Sequence, residues 1–440
     1  MATIVPIRGI RFNQEKVGSI AEVVTPPYDI IDNTAQARYY ARHAHNIIRL
    51  ELGQTFQQDD DRNNRYTRAA GYFARWLEEG VLTREKKPAF YLYEQEFTLD
   101  GKRQMRTGFI CGVELASYGP GNVLPHEETL SKPKADRLQL MRACKANFSP
   151  VFGLYDDPSE EINQALQAAR GKRSPDVDFI DEAGEGHRLW VITNSKTQQK
   201  IIKAMKDLTI YIADGHHRFE TALNYYQESQ SRGEATNPTV LITLVNLYDP
   251  GLLILPTHRL VKNLKEFDPD SFKERLLSYF KLEAYPLPSA RAELPAAIRG
   301  FFTEMDSRGK TNHTFGFYSR DKVFYLMSLK SEIAPASLFE GRSVDWSSLD
   351  VAILDNLVLD RLLQIGSENR KNQDHLSYTH DETEAVEAVD SGIEQAAFFL
   401  NPTRVQEIVA VANNGEKMPQ KSTYFYPKLI TGLVINPLAD

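Results

Sequence analysis

Only two cysteines, Cys111 and Cys144, occur in 440 residues, and neither belongs to a CxxC pair or a zinc-like spacing. A disulfide framework is therefore excluded and a reducing compartment, the cytoplasm, is the expected location. No apolar run approaches the ~18 residues a membrane helix needs, and the mean hydropathy is -0.42. The opening MATIVPIRGIRFNQEK has no apolar signal core and no small-residue cleavage site, so secretion is not expected. A basic block is missing too. The net charge is -7, and REKK (84–87) and RGKR (170–173) are short. Proteins that neutralise many nucleic-acid phosphates carry a clearly basic domain, so direct nucleic-acid binding is not expected. There is no GxxxxGK[ST], no GxGxxG after a strand and no HExxH, which argues against Walker, Rossmann and zinc-protease sites. Internal repeats and low-complexity tracts are also absent.

What is present is the composition of a globular protein, with 42% hydrophobic and 25% charged residues. The patterning is α/β. AEVVTPPYDII (21–31) reads as a strand entering a rigid turn, because a residue before proline is pushed to extended geometry. NTAQARYYARHAH (33–45), capped by Asn33 or Thr34, and RYTRAAGYFARWLEEG (65–80) read as helices. NIIRLELG (46–53) reads as a short strand with Arg49 and Glu51 on one face. AFYLYEQEFTL (89–99) and MRTGFICGVEL (105–115) pair as a hairpin across Asp100-Gly101. Next come a long loop (117–137), a helix (135–147) and a buried strand (149–157). Further along, LTIYIA (208–213) is an apolar strand and RFETALNYYQESQSRG a helix with Phe219, Ala222, Leu223 and Tyr226 on one face. TVLITLVNLYDPG (239–251) is another core strand. DVAILDNLVLDRLLQIG (350–366) reads as an amphipathic helix. AAFFLNPTRVQEIVAVANNG reads as a strand, then a helix capped by Asn401 with Pro402 at its first position. Two α/β domains are expected, 1–265 with the HEET and DGHHR motifs and 266–440 ending in MPQKSTYFYPK.

The densest chemistry lies in YIADGHHRFETAL (211–223), where a strand ends and a helix begins. Ligands of open α/β sheets bind at the carboxyl ends of strands, and a helix start offers free N–H groups that suit phosphate. Gly215 lets the backbone approach an anion, and Arg218 presents a planar fork. His216 or His217 can donate a hydrogen bond or shuttle a proton. Asp214 can accept a proton or hold magnesium. Two other readings compete. Asp214 or Gly215 can be a plain helix cap beside surface histidines, and Asp214 with a histidine and His126 or Glu127 can bind a transition metal. In PHEETLSKPKADR (125–137), Glu127 and Glu128 are candidate bases or magnesium ligands. Lys132, Lys134 and Arg137 there are candidate phosphate clamps. MPQKSTYFYPK brackets an aromatic stretch with Lys421 and Lys428, and Lys421 is a candidate phosphate contact. Tyr28 and Asp29, after the double proline, join Arg49 and His126 as substrate-side candidates.

TPPYDII, HEETLSKPKADRLQLMRACKANFSPVFGLY, IADGHHRFETAL and MPQKSTYFYPKL together resemble the bacterial and archaeal family catalogued as domain of unknown function 1015. More distantly, the DGHHR turn resembles the ParB/sulfiredoxin-like superfamily, in which a G-x-x-R turn binds nucleotide phosphates. Free-serine kinases of that superfamily carry a similar string and use a carboxylate as base. The sulfiredoxin nucleophilic cysteine is replaced by His216, so peroxiredoxin repair is not implied. The resemblance implies a ParB/sulfiredoxin-like core with an additional mixed α/β C-terminal region. Members of the family tend to lie beside serine-biosynthesis genes. ATP or ADP and Mg2+ are the implied cofactors, and a nucleotide and a small molecule, serine or phosphoserine, the implied ligands. The expected activity is nucleotide-linked phosphoryl transfer in either direction. A magnesium-dependent phosphatase and a nucleotide-binding regulatory module without turnover are the alternatives. No membrane partner is expected, and the oligomeric state stays open.

Overall fold

Thr239–Asn246 is buried along its whole length, and its unbroken run of apolar and β-branched residues is what a strand covered on both faces requires. It pairs in parallel with Val151–Tyr155 and antiparallel with Lys102–Glu114. This computed structural model describes residues 2–115, 122–129, 131–290, 292–372 and 374–439, with backbone alone for Ser131, Lys132 and Lys371. Among them the chain forms two units, Met1–Leu253 with Phe425–Asp440, and Ile254–Tyr424. Patterning puts the boundary at 265/266. It falls earlier because His258–Val261 already pairs in the second sheet. The C-terminal segment returns to the first unit, where Asn436–Pro437 pairs with Ala146–Asn147.

The first unit is built on a nine-stranded mixed sheet. Its order runs Val123–Leu124, Ile210–Asp214, Val151–Tyr155, Thr239–Asn246, Lys102–Glu114, Phe90–Leu99, Gly186–Ile192, Val177–Ile180. Ile4–Val5 pairs on Lys102–Glu114. The expected hairpin forms, with Asp100 and Gly101 both at positive φ in its turn. The helix Ser131–Cys144 packs on both Arg65–Glu78 and His216–Ser231. Phe109, Val151, Ile210, Ile212 and Phe219 belong to one buried core, along with Ile162 and Ile201 from two further helices.

The second unit has a six-stranded antiparallel sheet, ordered Phe280–Pro286, Val323–Leu329, Thr314–Tyr318, Ala396–Phe399, His258–Val261, Leu376–Thr379. Leu294–Gly309 and Glu382–Ser391 bury Phe301, Met305 and Val386 on the face that carries Phe399. Phe272 packs on Phe317 and Phe398, the opposite face.

Several segments differ from their patterning. AEVVTPPYDII forms no strand: Thr25 makes a single bridge with Thr431, between the 3-10 turns Ile20–Glu22 and Tyr28–Ile30. The helix Asn33–Arg42 is capped by Asp32, whose Oδ1 accepts the Ala35 N–H, rather than by Asn33 or Thr34. NIIRLELG contains a helical turn, Ile48–Glu51, because the buried Asn46 accepts the Ile48 N–H and redirects the chain. Asn401 and Pro402 precede the last helix, Val405–Asn413, whose start is held by Glu407, which accepts the Arg404 N–H. Residues 350–362 form a largely buried helix that widens after Ile353, where Leu363 N–H reaches Val358 O. The α/β class holds for both units. Among the described residues no helix is long and apolar enough to cross a membrane.

Candidate functional site

Ile210–Asp214 ends in a β-bulge: Ile212 faces Gly153 but Asp214 faces Phe152, so the register shifts across Ala213. Bulges of this kind re-aim side chains beside functional sites. Gly215 follows with φ 87° and lets the chain enter the helix His216–Ser231 at once. That helix buries His216, Arg218, Phe219, Ala222 and Tyr225. The apolar face is thus rotated slightly from the expected one, and Leu223 and Tyr226 lie at its edge. A Cβ on Gly215 would stand 2.8 Å from Arg218 Nε. Gly215→Ala is therefore expected to cost ~1–2 kcal/mol for the left-handed backbone and to displace the guanidinium. Urea unfolding measures the first effect. Phosphate-ligand affinity, expected to fall more than stability does, measures the second.

Asp214 is the charged centre. Lys428 Nζ lies 3.3 Å and Arg218 Nη2 3.5 Å from its Oδ2. Burial works to raise the carboxyl's pKa, but Lys428 foremost, and then Arg218, hold it well below the usual carboxylate range. A carboxylate this acidic is a poor proton acceptor at neutral pH but a permanent negative charge. Arg218 also donates from Nη1 to the Pro150 carbonyl.

The histidines form a second group. His126 is fully buried, and its Nδ1 donates to Ile212 O at 2.6 Å. Burial pushes its pKa down to about 4, so the ring is neutral at neutral pH. Its backbone N–H donates to His216 Nε2 at 3.3 Å, and the two rings meet edge-on at 4.6 Å. Accepting that bond requires an unprotonated Nε2 on His216. His217 is half-buried, and burial lowers its pKa against the opposing pull of Glu220 and Asp29. A neutral imidazole there can accept a proton.

The helix Ser131–Cys144 brings a third layer. Arg137 is buried, donates to Glu51 O at 2.8 Å and Glu51 Oε1 at 3.2 Å, and pairs with Asp136. Its guanidinium lies 4.0 Å over the Tyr28 ring. Burial pushes the Tyr28 hydroxyl up to about 12, which keeps it a donor. Ser149 closes the set by donating to Glu51 Oε1 at 2.8 Å. Glu220 accepts from Thr129 at 2.6 Å and Lys134 at 3.0 Å.

The sequence-predicted residues thus sort into groups. Asp214, Gly215, His216, Arg218 and His126 stand together. Arg137 and Tyr28 form the adjoining layer, and Asp29 and His217 interact electrostatically. Glu127 is half-buried and Glu128 exposed on the strip leading into that helix. Arg49 is elsewhere: it donates to the carbonyls of Tyr40 and His43. Lys421 is exposed in the second unit. The side chain of Lys132 lies outside the described residues. Two cations were not anticipated at the site. In the sequence Lys428 merely brackets an aromatic stretch. Arg106, 2% exposed, donates to Gln95 and to the Tyr426 and Pro427 carbonyls beside Lys428.

The sequence matches the family described as Protein of unknown function (DUF1015) over residues 4–352. The chain belongs to this family. The first three motifs of the DUF1015 chain, from Thr25 to Leu223, lie within the match, and MPQKSTYFYPKL lies beyond it. Similar solved structures include a conserved hypothetical protein from Pyrococcus furiosus, at 14% identity and TM-score 0.33, covering 74% of this chain and 95% of that one. Free serine kinase in complex with AMP is similar at 15% identity and TM-score 0.34, covering 74% and 92%. SbnI with C-terminal truncation from Staphylococcus aureus is similar at 9% identity and TM-score 0.34, covering 74% and 87%. No curated protein matches the DUF1015 chain.

Proposed function

We propose that this protein carries out nucleotide-linked phosphoryl transfer on a small molecule, to the hydroxyl of serine or, in reverse, from phosphoserine. The observation that carries the reading is one carboxylate, Asp214, flanked by Lys428 and Arg218 where a helix begins at the end of a strand. Phosphoryl transfer needs little from a protein beyond positioning and charge. The backbone N–H groups after Gly215 and the Arg218 fork would hold phosphate oxygens. Lys428 would neutralise charge that develops on them. Asp214 is too acidic to serve as base, so the proton of the attacking hydroxyl would pass to Glu127 or to the neutral His217. Asp214 Oδ1 and Glu127 are oxygen donors that suit magnesium and would hold it, and the ion would supply neutralisation of phosphate charge. Arg137 is committed to Glu51, Asp136 and Tyr28 and would position the helix that also carries Lys132.

The test is thermal shift of the purified protein with ATP, ADP, AMP or phosphoserine, each with and without Mg2+. Saturation at about 100 times Kd stabilises by roughly 2.7 kcal/mol. Arg218→Lys keeps the charge and removes the fork, and so probes phosphate recognition better than truncation of a buried residue. A magnesium-dependent shift by ATP or ADP, reduced in Arg218→Lys, is expected. Phosphate release from phosphoserine without nucleotide would replace the reading with a phosphatase. A nucleotide shift with no product on long incubation would replace it with a regulatory module.

A further inference from the structure

The strands Val177–Ile180 and Gly186–Ile192 pair antiparallel, and the chain turns between them through residues 181–185. Asp181 organises that turn: its Oδ1 accepts the N–H groups of Ala183 and Glu185, both at 2.9 Å. Oδ2 then lies 3.2 Å from Nε2 of His187. His187 is 1% exposed, and beyond this ion pair its Nε2 finds no hydrogen-bond partner. The rest of the ring is fixed. Nδ1 lies 2.7 Å from the Tyr93 hydroxyl, and Phe179 stacks on the ring at 4.8 Å. Glu185, also buried, accepts a hydrogen bond from Tyr426. One donor atom from each of Asp181, Glu185 and His187 lies within 4.8 Å of the other two.

We propose that Asp181, Glu185 and His187 bind a first-row divalent metal ion, zinc or an ion of its chemistry, at a site that shares no residue with the Asp214 cluster. Two tetrahedral ligands at ~2.0–2.2 Å from one zinc ion stand about 3.3–3.6 Å apart, close to the 3.2 Å between Asp181 Oδ2 and His187 Nε2. A Tyr93 contact at Nδ1 sets the ring so that Nε2 faces the cluster, the outer-shell arrangement typical of ligating histidines. One imidazole with two carboxylates favours zinc over magnesium, which takes oxygen ligands and keeps its waters. Three protein ligands leave a coordination position for water or a small ligand.

The test is titration of the full chain, stripped with a chelator, by calorimetry with Zn2+ and Mg2+ and by visible absorption with Co2+. One equivalent of Zn2+ is expected to bind and to displace the Co2+ band, with Mg2+ far weaker. Glu185→Gln and Asp181→Asn are expected to lower Zn2+ affinity at least ~10-fold, the loss that even an outer-shell change brings. The metal-free forms should melt at the wild-type temperature. Asp214→Asn is expected to leave Zn2+ affinity unchanged. Absence of saturable Zn2+ binding, equal affinity in wild type, Glu185→Gln and Asp181→Asn, or loss in Asp214→Asn alone would each overturn the proposal.

Discussion

Replacement of Lys428 with methionine is expected to destabilise the protein by about 3 kcal/mol, the lower end of the range for breaking a buried ion pair, and to abolish nucleotide binding. The side chains are 12% exposed for Lys428 and 24% for Asp214, so water cannot fully replace the lost partner. Arg218 remains 3.5 Å away and limits the cost. Asp214→Asn in the same chain removes the carboxylate that would be left to Arg218 alone, so the double variant should recover part of the stability while staying inactive. Urea unfolding of the wild type, both single variants and the double variant measures the coupling. If the double variant is as unstable as Lys428→Met, the lysine acts through the packing of its stem rather than through its charge.

Acidification is expected to bring a destabilising contribution from His126, while Glu185 and Asp249, whose carboxyls burial pushes up to about 7 and about 6, contribute with the opposite sign. His126 has its pKa pushed down to about 4 by burial, against about 6.5 for an unfolded histidine. Between those values the unfolded chain binds the proton and the folded chain does not, so stability falls as pH drops through that window. The loss amounts to roughly 3 kcal/mol by pH 4, at 1.36 kcal/mol per pKa unit. His258 in the second unit, pushed down to about 3 by burial, adds a loss of the same sign over a wider window. Asp214 acts later. Its depressed pKa contributes stability above the unfolded carboxylate value that is lost as pH falls through the folded one. The check compares wild type with His126→Gln from pH 8 to pH 4. The variant should lose about 3 kcal/mol less over that range, whatever its stability at pH 8. Parallel pH profiles for the two proteins would contradict the assignment.

Much of this was legible in the sequence where local chemistry governs. An apolar strand ending in Asp-Gly, followed by a helical pattern, announces the strand–turn–helix at 208–231, and Asp100-Gly101 announces the hairpin. Arg137 and Tyr28 were legible as residue types, but not as each other's partners. What escaped depends on distant contacts. Lys428 is 214 positions from Asp214 and reaches it because the chain leaves the first unit and returns. Arg106 sits in KRQMRTG, which reads as a solvated strand end. Its burial follows from the Gln95 and Pro427 groups that meet it, neither of them local. Arg49 was misplaced because IIRLEL has the apolar content of a strand, while the buried Asn46 that turns the backbone looks like an ordinary polar residue. Asp181, Glu185 and His187 were overlooked because a turn rich in acid and glycine reads as a solvated loop.

The central claim is transfer of a phosphoryl group at the Asp214 site, and the most direct measurement is phosphorus NMR of the protein incubated with L-serine, Mg2+ and ATP or ADP. Formation of phosphoserine with matching loss of the nucleotide's terminal phosphate is predicted, reduced roughly a hundredfold or more in Lys428→Met and Arg218→Lys, as expected when a group that stabilises transition-state charge is removed. Folded wild-type protein that binds the nucleotide yet leaves both nucleotide and serine unchanged would contradict it.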